Sequence, residues 1–401
     1  MKWSTALSQK LDLEQALQEC CAKLNKELDG QDPDLLMAFI APEFMAKYDL
    51  VPGIIYGAMS PKTFIGCSAA GFIGGGMEVE QNPAVSMVAA RLPDVAVKGF
   101  HLTDAQMPDL DDAPENWHKL INVAPPLQPD FILLSDPFSF RIDILVQGLD
   151  FAFPKAVKIG GLSSGANEPG INAMFLNDKV YKEGMVGVAL SGNLVIDTIV
   201  AQGCRPIGRP LHVTKCNKNF LYELDGEPAV NVLHGLLMGL APHDQELARH
   251  SLFLGVVMDE FKDNFKPGDF LIRNILGLEQ NSGALVIGEI LRPERTIQFH
   301  LRDAATSSED LRMLLRNFKD RHSSNNKNAS GALLFSCLGR GQYLYGEPNH
   351  DSHCFFEHMG EIPLGGFFCN GEIGPVGGTT FLHGYTSSFG IFSTKTEGSA
   401  V

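Results

Sequence analysis

Two glycine-rich strings, far apart in the chain, constrain the fold more than any other feature. Phe64 to Gly76 reads FIGCSAAGFIGGG, and Phe367 to Gly378 reads FFCNGEIGPVGG. Each is a short apolar run that ends in Cys, passes through a small or polar residue and enters Gly-x-Ile-Gly. KIGGLSSG, from Lys158 to Gly165, is a weaker third copy. Glycines so placed let another backbone or a ligand approach closely, so each copy is either a strand-to-loop cradle or a tight sheet crossing. Repetition in two halves predicts related domains, or one ancestral unit doubled.

The rest of the chain alternates strands and helices. Apolar periodicity predicts a first element that is a helix, with Leu13, Leu17, Cys20, Cys21, Leu24 and Leu28 on one face, Asp12 as its cap and Gly30 as its stop. The unbroken run LLMAFI (35–40) and residues 131–134 predict buried strands, the second leading to a helix through Ile142, Leu145, Val146 and Leu149. Beyond residue 150, KAVKIGG, GMVGVALSG, LVIDTIVAQG and LHVTKC are separated by Gly, Asn and Pro, as hairpin-connected strands are. Further strands are expected at 252–257, 270–278, 284–287 and 296–301. A helix follows, opened by a capping box from Thr306 to Glu309 and packed through Leu311, Leu314, Leu315 and Phe318. Residues 108–115 and 323–330 read as surface loops. At about 150 residues per domain, a chain of 401 residues makes two or three. The turn at 224–228, with Pro228 opening a helix through Val232, Leu233, Leu236, Leu237 and Leu240, places a boundary there. The expectation is an α+β fold of two domains, 1–226 and 227–401, with mixed, largely antiparallel layered sheets flanked by helices.

Asp and Glu number 47 against 32 Lys and Arg, a net charge of -15 that repels phosphate backbones and anionic headgroups. Nucleic acid is therefore not an expected partner. No stretch reaches the roughly 18 apolar residues of a membrane span, and the N-terminus lacks a signal-type apolar core. Eight cysteines without a CxxC pair suit a reducing compartment, so a soluble, cytoplasmic protein is expected.

Several familiar signatures fail. The string around Ser68 resembles a nucleophile elbow, but glycine does not stand two positions after the serine and no helix follows. No phosphate-binding loop with its lysine and no dinucleotide-binding GxGxxG occurs. HDSHCFFEH (350–358) has part of a zinc shell at helical spacing, yet an amphipathic helix with Phe355, Phe356 and Met359 opposite a polar face explains it better. No metal and no cofactor are expected.

The strongest candidate site lies where predicted strands end. GALLFSC (331–337) runs into Leu338, Gly339, Arg340 and Gly341, which sets the Cys337 thiol beside a guanidinium. A second strand end delivers Cys369, Asn370, Gly371, Glu372 and Gly374, and LHGYTSS adds His383, Tyr385, Thr386 and Ser387. If these ends converge, Arg340 is a cation for a carboxylate, Glu372 an acceptor for an amine, and Asn370, Tyr385 and Thr386 orient the guest. The competing reading is an internal Arg340–Glu372 salt bridge with Cys337 packed as a small hydrophobe. Cys67, Ser68 and Gly71 form a second candidate cradle.

GALLFSCLGRG, GGFFCNGEIGPVGG and FLHGYTS, in that order, resemble the C-terminal FIST domain, and GCSAAGFIGGG, VGVALSG and VAQGCRPIG resemble its N-terminal companion. The resemblance spans nearly the whole chain after the first helix. It implies a sensory module that binds a small ligand, an amino acid or similar polar metabolite, and that is either a stand-alone sensor or acts through a separate signalling protein. The ligand residues it carries over are Cys337, Gly339, Arg340 and Gly341, then Asn370, Gly371, Glu372 and Gly374, then His383, Tyr385 and Thr386. Binding without turnover is expected, since no catalytic constellation is complete. The rivals are an enzyme with Cys337 as nucleophile and His383 as base, and a protein-interaction scaffold.

Overall fold

An apolar run without polar alternation must be covered on both faces, and residues 35–40 are buried at every position. The fold that covers them is given by a computed structural model, which describes residues 1–124, 127–262, 264–266, 268–323 and 329–395. It is α+β, with mixed and antiparallel sheets.

The chain begins with β1 (Lys2–Ser8), α1 (Leu13–Glu27), β2 (Leu35–Ile40), α2 (Val51–Ala58), β3 (Thr63–Ser68), β4 (Gly71–Gly74), β5 (Met77–Glu80) and β6 (Val85–Arg91). It continues with β7 (Val95–Leu102), α3 (Pro114–Ile121), β8 (Asp130–Ser135), α4 (Ile142–Ala152), β9 (Lys158–Leu162), β10 (Met174–Leu176), β11 (Lys179–Tyr181), β12 (Met185–Gly192) and β13 (Val195–Ala201). Next come β14 (Cys204–Asn217), β15 (Phe220–Leu224), β16 (Glu227–Pro228), α5 (Ala229–Met238), α6 (Pro242–Ser251), β17 (Leu252–Val257), β18 (Phe270–Leu278), β19 (Leu285–Ile287) and β20 (Thr296–Arg302). The last stretch holds α7 (Ala304–Ser323), β21 (Gly331–Cys337), α8 (Gly341–Tyr345), α9 (His350–Met359), β22 (Leu364–Cys369), β23 (Glu372–Val376), β24 (Thr379–His383) and β25 (Ser387–Ser393).

Two compact units result, residues 1–200 with those from 314 onward, and residues 201–313. The expected division at 226 falls inside the second unit. That unit is a seven-stranded antiparallel sheet that closes on itself through a β14–β15 pairing around Leu254, Ile297, Phe299 and Leu301.

The first unit has three six-stranded sheets, ordered β1-β6-β2-β3-β10-β11, β7-β12-β8-β9-β23-β24 and β13-β25-β21-β22-β4-β5. At the middle of each stands one parallel pair, β2–β3, β8–β9 or β21–β22. The hairpin that follows each pair leaves its own sheet. β4–β5 joins β22, β23–β24 joins β9, and β10–β11 joins β3, each antiparallel. The exchange is cyclic and ties the three sheets into one body. Phe39, Ile132, Ile159, Phe335 and Phe367 from all three share a single apolar core. The glycine-rich echo therefore marks three repeats within one unit rather than a doubling across two halves. Its glycines at 66, 160 and 366 have one common reason. A Cβ there would stand 2.2, 1.8 and 1.9 Å from the carbonyl oxygens of Ala38, Leu133 and Leu334 on the parallel partner strand.

Other expectations shift by an element or a turn. The first element is β1, not a helix. Its polar residues disguise it, because the Ser4 and Ser8 hydroxyls donate to Glu27 and Glu19 of α1 while the strand pairs along β6. The α1 helix follows as expected, Asp12 accepting the Gln15 amide at 3.1 Å. α7 opens a turn before Thr306. Asp303 caps it by accepting the Thr306 amide at 2.8 Å. Pro228 precedes α5 as its N-cap residue instead of occupying the first helical position. Most of the loop expected at 323–330 lies outside the described residues.

Candidate functional site

The ends of the parallel strands bring the three copies of the echo together. Ser68, at the end of β3, shares a 2.9 Å hydroxyl contact with Ser163 just past β9. It also accepts the Ala173 amide and bonds Asn172, whose amide nitrogen reaches Asp136 at 2.8 Å. Asn370, just past β22, donates to Ser163 O at 3.2 Å, and the Leu162 amide donates to Gly371 O at 2.8 Å. Cys67 and Ser68 are buried, and a Cβ on Gly71 would strike Phe368 at 2.8 Å. The second candidate cradle is thus a packed junction of polar strand ends. Burial pushes the Cys67 thiol well up.

Arg340 is fully buried and holds Asp351 of α9 in a two-point pair, Nε–Oδ2 at 2.9 Å and NH2–Oδ1 at 3.1 Å, with a further bond to Tyr345 Oη. Asp351 also accepts from Ser336 and Ser387 and contacts His350 Nδ1 at 3.0 Å. Burial alone raises its pKa, but the Arg340 charge, His350 and Ser387 more than reverse this and hold the carboxyl well below its usual range. Next to it, Glu78 accepts the Ser352 amide and hydroxyl on Oε1, both at 2.7 Å, while Oε2 is buried with no hydrogen-bond partner among the described residues. Burial, then the Asp351 charge, pushes Glu78 up to about 8.

Glu372 belongs to a different environment. Successive residues of a strand face opposite sides. Ser336 reaches Asp351, so Cys337 points the other way, and its register partner Cys369 shares its face. The Cys369 thiol donates to Glu372 Oε1 at 3.5 Å, and the Thr386 amide donates to Oε2 at 3.0 Å. Burial, and then the Glu372 charge, drives the Cys369 thiol well above its ordinary value. Arg340 and Glu372 are therefore both sealed, on opposite faces of one sheet, and present no common hollow. The zwitterion frame built on this pair does not hold, and neither does the Arg340–Glu372 salt bridge. The partner of Arg340 is Asp351, eleven residues on. His383 Nε2 lies 3.0 Å from Gly374 O. Gly374 is itself tight, since a Cβ would come within 2.6 Å of Ser388 Oγ. Tyr385 is half-buried at φ +64°. Half-buried Cys337 accepts the Gly339 amide at 3.4 Å.

Open space lies beside these groups. A cleft of about 400 Å³ sits past the carboxyl ends of β2, β3 and β21, the position where sheets with parallel strands characteristically hold ligands. Pro42 and Glu43 follow β2, Ala70 follows β3 and Leu338 follows β21. Phe72 of β4, Glu80 to Asn82 at the end of β5, and Tyr343 of α8 complete the lining. The Gly339-Arg340-Gly341 motif lies behind this wall, between the lining residues Leu338 and Tyr343. Arg340 anchors it inward on Asp351, and Gly341, at φ +60°, leaves room for the Glu80 carboxylate, both of whose oxygens would lie 2.4 Å from a Cβ there. Glu80 Oε1 accepts the Gln342 amide at 2.9 Å.

Asp351, Glu78 and Glu80 were not singled out in the sequence. Met-Glu-Val-Glu at 77–80 is the signal that was available, two carboxylates two apart on one face of a short strand. The helix expected over 350–358 is present, but it is not apolar on one face and polar on the other: His350, Asp351 and Ser352 are buried with Cys354 and Phe355, while Phe356 and Met359 are half-buried. Among the described residues no group of three or more His, Cys, Asp or Glu is placed to hold a metal ion. No helix among them is long and apolar enough to cross a membrane. The second unit has its own cleft of about 370 Å³ beneath α5, walled by Leu211, Leu224, Val232, Leu236 and Phe299. Its rim arginine, Arg209, is paired with Asp225.

Comparison with known proteins agrees with this architecture. The FIST N domain matches residues 34–227 and the FIST C domain residues 229–375. The N match thus covers most of the first two repeats and the start of the second unit, and the C match covers the remainder of that unit and most of the third repeat. An uncharacterized protein of Mycobacterium tuberculosis is 34% identical over 98% of this chain and 100% of its own length. One of Mycobacterium bovis is 33% identical over 96% and 97%. An F-box/LRR-repeat protein of Arabidopsis thaliana is 34% identical over 27% of this chain and 23% of its own. FIST domains are sensory, signal-transduction domains that bind small ligands. With both domains matched in order over most of its length, the chain belongs to the FIST family.

Proposed function

We propose that this protein is a cytoplasmic small-ligand sensor. A small polar metabolite, an amino acid or a relative of one, enters the cleft at the carboxyl ends of β2, β3 and β21. It is bound without turnover, and the bound state is read by a separate signalling protein. The observation that carries the reading is the cleft itself. It opens where parallel strands end, and Leu338 and Tyr343, on either side of the glycine–arginine–glycine turn that the sequence marks, line one wall. The division of labour in that turn supports it, because a buried ion pair holds the backbone while a glycine sets a carboxylate at the cleft.

A panel of amino acids and other small metabolites, read by thermal shift, tests this. At least one compound should raise the melting temperature of the native protein, and Ala70→Trp, which fills the cleft from one wall, should abolish that rise while the protein stays folded. A rise that survives Ala70→Trp places the ligand elsewhere and overturns the assignment.

A further inference from the structure

Resting on the reading of the cleft as the ligand site, we infer that its ligand is a cation, an organic amine with an apolar body, recognised by its ammonium group and not by a carboxylate. Two carboxylates line the cleft, Glu43 and Glu80, and among the described residues its lining contains no lysine, arginine or histidine. The guanidinium closest in sequence, Arg340, is spent on Asp351 and Tyr345 behind the wall. A ligand carboxylate would therefore enter without a counter-charge, against a chain of net charge -15.

Glu80 is built for the task. Its Oε1 is fixed by the Gln342 amide, and Oε2 takes no hydrogen bond from any described residue. Gly341 supplies the space that lets the carboxylate sit there, so a feature singled out in the sequence finds its use at this side chain. Glu80 is half-buried, and burial raises its pKa, so an ammonium ion that pairs with it restores what desolvation took from the charged form. The rest of the lining mixes Pro42, Ala70, Gln81 and Asn82 with the apolar or aromatic Phe72, Leu338 and Tyr343. The last three pack on methylene or aryl groups and let an aromatic face meet the charge.

Two matched sets separate the charges while keeping the body constant: 2-phenylethylamine, phenylalanine and 3-phenylpropanoate, and hexylamine, norleucine and hexanoate. Titration calorimetry at low salt on the full chain should rank amine above amino acid above carboxylate in at least one set. Glu80→Gln should weaken the amine about 10- to 100-fold and leave the melting temperature of the free protein within a few degrees, the cost of losing one charge-assisted hydrogen bond. Ala70→Trp should abolish amine binding. If an amino acid or a carboxylate binds as tightly as its amine and Ala70→Trp blocks it, the cleft stands and the cation assignment is overturned. Amine binding that ignores Ala70→Trp removes the cleft and this inference together. Failure of all six compounds to bind, with another metabolite still responding to Ala70→Trp, rejects the amine class alone.

Discussion

The substitution Glu78→Gln isolates the physics of the polar cluster behind the cleft. Glu78 is buried, its Oε2 has no hydrogen-bond partner among the described residues, and Asp351 and Glu80 are charged groups acting on it. Its folded-state pKa is raised from 4.5 to about 8, so between those values the folded state binds a proton that the unfolded chain has released. Stability is then fully present below the unfolded value, falls as pH rises, and levels off once Glu78 has ionised in both states. Each pH unit inside the window is worth about 1.4 kcal/mol. From about pH 6 to pH 9 the loss comes to about 3 kcal/mol, on the order of 5–10 °C in melting temperature for a body of this size. Glutamine keeps the shape of the protonated acid and cannot ionise. Melting curves of the two proteins across that range should therefore diverge, the variant becoming steadily the more stable toward pH 9. Asp351 does not blur the comparison, because its depressed pKa acts only at pH values below its unfolded 3.8. A difference between variant and parent that stays constant with pH would refute the burial argument.

Other changes probe the remaining supports. Arg340→Met leaves Asp351 buried without its cation and should cost about 3–5 kcal/mol in denaturant unfolding, part of which Asp351→Asn restores in the double variant. If Arg340→Met alone is neutral, the pair does not hold the wall. Gly366→Ala puts a methyl 1.9 Å from Leu334 O and should prevent accumulation of soluble protein, whereas Gly377→Ala, at a glycine with nothing within 4 Å, should cost only the strain of its +61° φ. Equal yields of the two would contradict the close approach of the parallel strands. Iodoacetamide on the native protein should label half-buried Cys337 and Cys216 well before Cys20, Cys67 or Cys369, whose burial raises their thiol pKa values. Early labelling of Cys369 would contradict the sealed setting of Glu372.

The strands of the parallel pairs were legible because burial on both faces leaves an unbroken apolar run, as in LLMAFI and GALLFSC. The number of repeats was harder to read. Only Ala69 and Ala70 separate β3 from β4, and Asn370 and Gly371 separate β22 from β23, but residues 163–173 lie between β9 and β10, so the third copy loses its rhythm. Exchange of hairpins between sheets is invisible in principle, since a hairpin's pattern reports which face is buried and not which strand it joins. The same limit explains the site. Glycine, arginine and glycine at 339–341 stood out as a turn with a charge, yet the carboxylates that give them meaning lie at Asp351, across a helix turn, and at Glu80, in another repeat. Glu372 was rightly noticed as a carboxylate at a strand end. Its separation from Arg340 follows from the alternation of side chains at 336 and 337, which a register-free reading does not supply.

Native mass spectrometry of freshly purified protein tests the central claim most directly, since a cleft that serves as a sensor's ligand site can carry its guest through purification. The account predicts a retained small molecule of positive charge, displaced by the tightest compound of the metabolite panel and missing from Ala70→Trp prepared in parallel. A retained molecule that is anionic, or one carried equally by Ala70→Trp, would contradict it.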